Sequence, residues 1–171
     1  MELNIAVLDS ECQILFFTAG EENIIQLETI TLICAELELP LCVCNSLIVD
    51  AECMLKIDTK LLPHSGDAGR PRLLLAGNFL EEQITIGALH ALYLGFEVFL
   101  LKDFAVPKNI DHMQVYDMRL IQAGVVPSTL HQLLYEWISG EAIAERRNKL
   151  IELLAQLTNR FGASATRTGL S

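Results

Sequence analysis

Apolar positions along this chain come in blocks, and the blocks alternate between short runs and helix-spaced stretches. Leu3 to Leu8 is a short apolar run ending at Asp9, which predicts a buried first strand. Ser10 to Glu22, with Phe16, Phe17 and the turn Ala19-Gly20, is expected to be a loop. Asn23 to Leu37 has apolar residues at helical spacing, Pro40 closes the connection, and Leu41 to Val43 predicts a second strand. Between Leu47 and Leu62 the pattern blurs into a short helix or irregular structure, and Pro63 to Pro71 is a loop by its Gly, Pro, Ser and Asp content. Arg72 to Ala76 predicts a third strand. A helix follows from Glu81 or Glu82 to Leu94, stopped by Gly95, with its acidic start matched to the helix dipole. Phe96 to Leu101 predicts a fourth strand ending at Lys102-Asp103. Asp111 to Ala123 predicts a helix stopped by Gly124, and Val125-Val126 a short strand. A helix over Thr129 to Ile138, capped by Ser128, and a charged amphipathic helix over Ala142 to Phe161 complete the pattern.

Strands alternating with helices imply an α/β fold: three layers, with an open, mostly parallel sheet covered on both faces. Residues 1–161 are expected to form one domain, with 162–171 a flexible tail. The stretch Arg72 to Thr85 stands out, because an apolar strand stops at Gly77 and a helix begins a few residues later. In open parallel sheets, ligands and chemistry gather where a strand ends and a helix starts.

Composition narrows the function classes. At 171 residues, 51% of them hydrophobic, the chain is long enough to bury a core, yet no apolar run approaches the roughly 18 residues of a membrane span. The start Met1-Glu2-Leu3-Asn4 lacks the basic flank of a signal peptide, so a cytoplasmic location is expected. A formal charge of −10 argues against nucleic acid and anionic membranes. The cysteines are Cys12, Cys34, Cys42, Cys44 and Cys53. An odd number does not predict a disulfide framework, and Cys42 and Cys44 are expected to be small buried hydrophobes on one strand face.

Three chemistries suit such a sheet. A dinucleotide site needs a Gly-rich turn after the first strand, and no GxGxxG is present. A receiver-like signalling domain would use Asp9 and Glu11 for a magnesium ion and Lys102 at a strand end. Its acceptor aspartate should close the third strand, where Gly77-Asn78 stands instead. His64, His90, His112 and His131 have no ligand partner at metal spacing, so neither metal nor cofactor is expected.

The third chemistry is cysteine hydrolysis. Leu73-Leu74-Leu75-Ala76-Gly77 through Gln83-Ile84, Gly87-Ala88-Leu89-His90-Ala91-Leu92, Gly95-Phe96-Glu97-Val98 and Asp103 resemble the isochorismatase-like cysteine hydrolases. Met118 to Val126, with its Gln122-Ala123-Gly124-Val125, resembles the same family, as does Leu8-Asp9 at a strand end. The resemblance covers almost the whole chain in element order. It implies an Asp–Lys–Cys catalytic set in which the cysteine follows the strand-ending glycine by six residues. On this chain the aspartate corresponds to Asp9 and the lysine to Lys56, with Lys60 the second choice. The cysteine position holds Gln83. A carboxamide is not a usable nucleophile at neutral pH, and no cysteine follows Cys53. Glu11 also departs from the glutamine expected two residues after the aspartate.

The resulting expectation is a protein of this family that is degenerate as a hydrolase and acts as a binding or oligomeric structural unit, with a small molecule as its ligand. The alternative is an active hydrolase of small amides or esters whose nucleophile has moved to Cys12 or Cys53. The resemblance also implies a homo-oligomer, and Tyr135 and Trp137 are suited to its interface.

Overall fold

The computed structural model describes residues 12–18, 24–44, 72–78 and 80–165. These group into two compact units, the sheet with its helices through Thr129 and a helical pair from Leu130 onward.

In the first unit, β1 (Cys12–Phe17), α1 (Ile24–Leu37), β2 (Leu41–Cys44), β3 (Arg72–Asn78), α2 (Thr85–Tyr93), β4 (Glu97–Val106), α3 (Met113–Ala123) and β5 (Val126–Ser128) follow one another. The strands form one parallel sheet in the order β2-β1-β3-β4-β5. The open parallel α/β architecture expected from the alternation of blocks is therefore present.

The position of the first described strand corrects the sequence reading. Cys12–Phe17 is an interior strand, paired with β2 on one side and β3 on the other, where a loop was expected. All six residues are buried, including Gln13. A strand flanked by neighbours and covered on both faces requires a nearly continuous apolar run, and Cys-Gln-Ile-Leu-Phe-Phe supplies one. The expected strand Leu3–Leu8 lies outside the described residues.

Side chains alternate across the sheet as the strand period requires. Leu15, Phe17, Leu73, Leu75, Val98 and Leu100 share one core with Ile84, Ala88 and Ala91 around α2 and with Leu120 of α3. Ile14, Phe16, Leu74, Ala76, Phe99 and Leu101 alternate with them and are buried too.

Gly124 stops α3 as expected, with φ at +106°. Lys102 and Asp103, expected to end the fourth strand, lie within it, because β4 continues to Val106. Asp103 is therefore a strand residue. Lys102 Nζ is 2.6 Å from the Asp117 carboxylate on α3.

The second unit contains α4 (Leu130–Gly140) and α5 (Ala144–Ala165). α4 ends at Gly140, and α5 extends four residues past the expected Phe161. Leu133, Leu134 and Trp137 of α4 are buried, as are Leu150, Leu153 and Leu157 of α5. Between the helices, Glu141 accepts the Ile143 amide at 2.9 Å, and its carbonyl accepts hydrogen bonds from the Arg147 guanidinium.

Candidate functional site

With the order β2-β1-β3-β4-β5, the chain leaves β1 to one side of the sheet and returns on the other. The crevice between the carboxyl ends of β1 and β3 is thus a topological switch point, the place where open sheets of this kind hold ligands. β1 ends at Phe17, and Thr18 follows with its amide donating to the Cys44 carbonyl at 2.9 Å. β3 ends in Gly77-Asn78.

Gly77 is a requirement of that crevice. Its φ is +122°, and a Cβ built there would stand 2.0 Å from the Phe17 carbonyl oxygen. Close approach of two backbones at a positive φ leaves glycine as the residue that fits. Across the crevice, a Cβ at Gly87 would lie 2.7 Å from the Phe17 ring, so a second glycine lets α2 close onto β1.

Beyond Gly77 the register between β3 and β4 slips. Leu75 pairs with Leu100 but Gly77 pairs with Ala105, so Leu101–Phe104 stand opposite Ala76 alone. Such an irregularity re-aims a strand end, and bulges concentrate beside functional sites. The helix following β3 also begins irregularly. Leu80–Ile84 forms a π-helical turn before α2 starts at Thr85. The sequence predicted one helix from Glu81 or Glu82, and the wider first turn is the correction. Short π-helical turns recur at functional sites.

Gln83 sits in that turn, six residues after Gly77, with 1% of its surface exposed. Asn78 and Thr85 are buried beside it in sequence, and Thr18 is half-buried. All four are neutral hydrogen-bonding groups able to orient a ligand, and the carboxamides of Gln83 and Asn78 are not usable nucleophiles at neutral pH.

The charged residues of the turn act outward. Glu81 accepts the Lys108 and Asn109 amides, both at 2.7 Å, and Glu82 pairs with Lys108 Nζ at 3.3 Å. Burial pushes the Glu81 carboxyl up. The amide hydrogen bonds from Lys108, Asn109 and Glu81 itself, with the Lys108 charge, outweigh it and hold the group below the ordinary glutamate range.

Asp9 and Lys56, the other two positions implied by the family resemblance, lie outside the described residues, as do Glu11, Lys60 and Cys53. Cys12 is buried at the amino end of β1, opposite Arg72. Five strand steps put it roughly 16 Å from the crevice. Cys34 is buried in α1, and burial pushes its thiol up to about 12. Cys42 is free. Cys44 is disulfide-bonded, which corrects the expectation that it is only a small buried hydrophobe. Among the described residues no cluster of His, Cys, Asp or Glu could hold a metal ion. No described helix is long and apolar enough to cross a membrane.

The sequence singled out Gln83 and did not single out Thr18, which follows the strand beside β3. The signal was available in the continuous apolar run Cys12–Phe17, which ends at a polar residue just as the run Leu3–Leu8 does.

No protein-family model matches this chain, and no curated protein is similar to it in sequence. Solved structures do match. YcaC from Escherichia coli, described as an octameric hydrolase of unknown specificity, has a TM-score of 0.64 at 15% identity, over 98% of this chain and 100% of that one. MAR1 ribonuclease from Caenorhabditis elegans has a TM-score of 0.62 at 13% identity, over 86% of this chain and 92% of that one. YcaC from Pseudomonas aeruginosa, with hexane-2,5-diol and covalent acrylamide, has a TM-score of 0.59 at 15% identity, over 94% of this chain and 100% of that one. The chain has the α/β fold of these proteins, the fold that the family resemblance implied.

Proposed function

We propose that this protein is an isochorismatase-like hydrolase that has lost its nucleophile and now serves as a small-molecule-binding or oligomeric structural unit. One observation carries the reading. The turn that should present a cysteine keeps its place at the switch point, its strand-ending glycine and its six-residue spacing, yet presents buried Gln83.

The first strand adds support. A residue able to pass a proton to position 83 belongs at the carboxyl end of the strand beside β3, and β1 has neutral Thr18 there. We therefore assign the family's aspartate position to Thr18 in place of Asp9, and keep Lys56 for the lysine. An active hydrolase with a relocated nucleophile is less well supported, since Cys12 is at the far end of β1. A receiver-like role shares the sheet order, but Lys102 is engaged with Asp117 and no acidic residue closes β3. A net charge of −10 disfavours a polyanionic substrate such as that of the ribonuclease neighbour. Neutral groups at the crevice suit an uncharged amide, alcohol or diol. The octameric state of the Escherichia coli neighbour supports a homo-oligomer here.

Re-arming the site tests this. Wild-type protein is expected to leave a panel of small amides and esters intact. Gln83→Cys with Thr18→Asp is expected to hydrolyse part of the panel, at least about tenfold faster than Gln83→Cys alone. Asp9→Ala in the Gln83→Cys background separates the two assignments, since it leaves the rate unchanged if Thr18 holds the aspartate position and abolishes it if Asp9 does. Robust wild-type turnover that Asp9→Ala abolishes would overturn the proposal.

A further inference from the structure

α2 is apolar on the side it buries and also on the side it does not. Thr85, Gly87, Ala88 and Ala91 are buried. On the opposite side, Ile86, Leu89, His90 and Tyr93 follow the i, i+3, i+4, i+7 spacing of one helix face. Ile86 and Tyr93 are exposed, Tyr93 by 85% of its surface, and Leu89 and His90 are half-buried. From Thr85 to Tyr93 the helix contains no Asp, Glu, Lys or Arg. A helix at the surface of a globular protein ordinarily turns charged residues to water, and one that is apolar all round is a buried helix. α3 lies beside it on the same face of the sheet. Its Leu120 shares the core of Ala88 and Ala91, and the Leu92 side chain is 4.0 Å from a Cβ built on Gly124. Val115, Met118 and Ile121 of α3, three residues apart, are each more than half exposed. Of the two charged residues in α3, Asp117 is paired with Lys102 and the other is exposed Arg119.

Monomeric proteins rarely expose contiguous apolar patches larger than a few hundred Å². Ile86, Tyr93, Val115, Met118 and Ile121 expose on the order of several hundred Å² between them. With their polar neighbours they approach the roughly 800 Å² that each partner covers in a standard interface. Tyr, Met and Arg on such a face, without an unpaired carboxylate, are the composition of an interface core. Charge selects the occupant. At a formal −10, most of the surface repels a second copy, and two copies meet with least repulsion where unpaired carboxylates are lacking. An anionic lipid surface would need Lys or Arg beside the apolar stripe, and α2 has neither. We propose that a second copy of this chain docks on the outward face of α2 and α3, with Tyr93 and Met118 at the contact. The inference rests on the homo-oligomer of the proposed function and gives it a surface.

Oxidation of Tyr93 and Met118 reports the contact in full-length wild-type protein. Hydroxyl-radical labelling read by peptide mass spectrometry is expected to be severalfold slower at both residues where light scattering gives a multiple of the 19.0 kDa chain than after dilution to single chains. Two substitutions at exposed positions give an independent measure. Met118→Glu and Tyr93→Glu are each expected to weaken association at least about tenfold. Ile151→Glu, which adds the same charge at an exposed position of α5, is expected to change it less than about twofold. Should the oligomer persist on dilution, the variants decide.

An oligomer that Met118→Glu and Tyr93→Glu leave intact overturns this surface and leaves the homo-oligomer standing. So does an oligomer in which both residues are oxidised as fast as in single chains. Equal weakening by Ile151→Glu overturns it as well, because added charge rather than this face would then be the cause. A wild-type mass of one chain across the micromolar range removes the surface and the homo-oligomer together. Protection of Tyr93 and Met118 in cell extract but not in purified protein would give the face to a different protein, which also overturns the proposal.

Discussion

Gln83 is set apart by what surrounds it more than by its own chemistry. A buried carboxamide in a helix is ordinary, but this one lies six residues beyond a strand-ending glycine, at the switch point of an open sheet where such folds hold ligands. The strand, glycine and helix around Gln83 were legible in the sequence, and its match to a nucleophile position came from the family resemblance. Which strand end stands beside β3 was not legible, because two apolar runs ending in polar residues compete near the amino terminus and periodicity does not rank them. Glu81 was read only as an acidic helix start, since its partners are backbone amides 27 and 28 residues away, which no sequence pattern encodes. Those hydrogen bonds carry a pH prediction. The folded-state pKa of Glu81 lies below its unfolded value. Its stabilising contribution is therefore complete above the unfolded value and is lost as pH falls through the folded one. The Lys108 and Asn109 amide resonances should titrate together in that acid range, and Glu81→Gln should remove the titration. Amide shifts that stay constant on acidification would contradict the assignment.

At the scale of elements, strands and helices followed apolar blocks closely wherever one pattern dominated. The helix over Asn23–Leu37 appears as Ile24–Leu37, and the strand over Leu41–Val43 as Leu41–Cys44. Errors arose where length decided the outcome. β4 runs five residues past the expected Leu101, because charged Lys102 and Asp103 suggested a strand end. In the structure Lys102 pairs with Asp117 and the register slip carries Ala105 back against Gly77. The π-helical turn was illegible in a similar way, since one extra residue in a single turn falls below what helical periodicity resolves. Gly77 and Gly95 separate two kinds of glycine requirement. Both have positive φ, but a Cβ at Gly95 meets nothing within 4 Å, whereas one at Gly77 meets the Phe17 backbone at 2.0 Å. Gly95→Ala should cost about 1–2 kcal/mol of backbone strain. Gly77→Ala should cost more than about 3 kcal/mol, because strain and a backbone clash add. Denaturant unfolding of the two variants checks the order, and equal losses would show that the β1–β3 approach is looser than described.

On the scale of the whole molecule, the alternation of apolar blocks gave the α/β class correctly, whereas assembly is harder to read from a chain. Trp137 was expected at an interface because large amphipathic groups favour such places, but it is 2% exposed in the single chain and is a core residue of its unit. Tyr135 remains 57% exposed, with its ring 5.0 Å edge-on from His131. A homo-oligomer predicts a light-scattering mass that is a multiple of the 19.0 kDa chain, and a mass of one chain across the micromolar range would remove that part of the proposal. Fold and site address persisted in the pattern because each depends on many residues. Reactivity depends on one or two, so the proposed loss of function turns on what stands at position 83. The central claim is that no cysteine of this chain works as the fold's nucleophile. Acid quenching during incubation with an activated ester, followed by intact-mass and peptide measurement, tests it most directly. The account predicts no acyl adduct on wild-type protein and one at position 83 of the Gln83→Cys, Thr18→Asp variant; a stoichiometric adduct on any native cysteine of the wild type would contradict it.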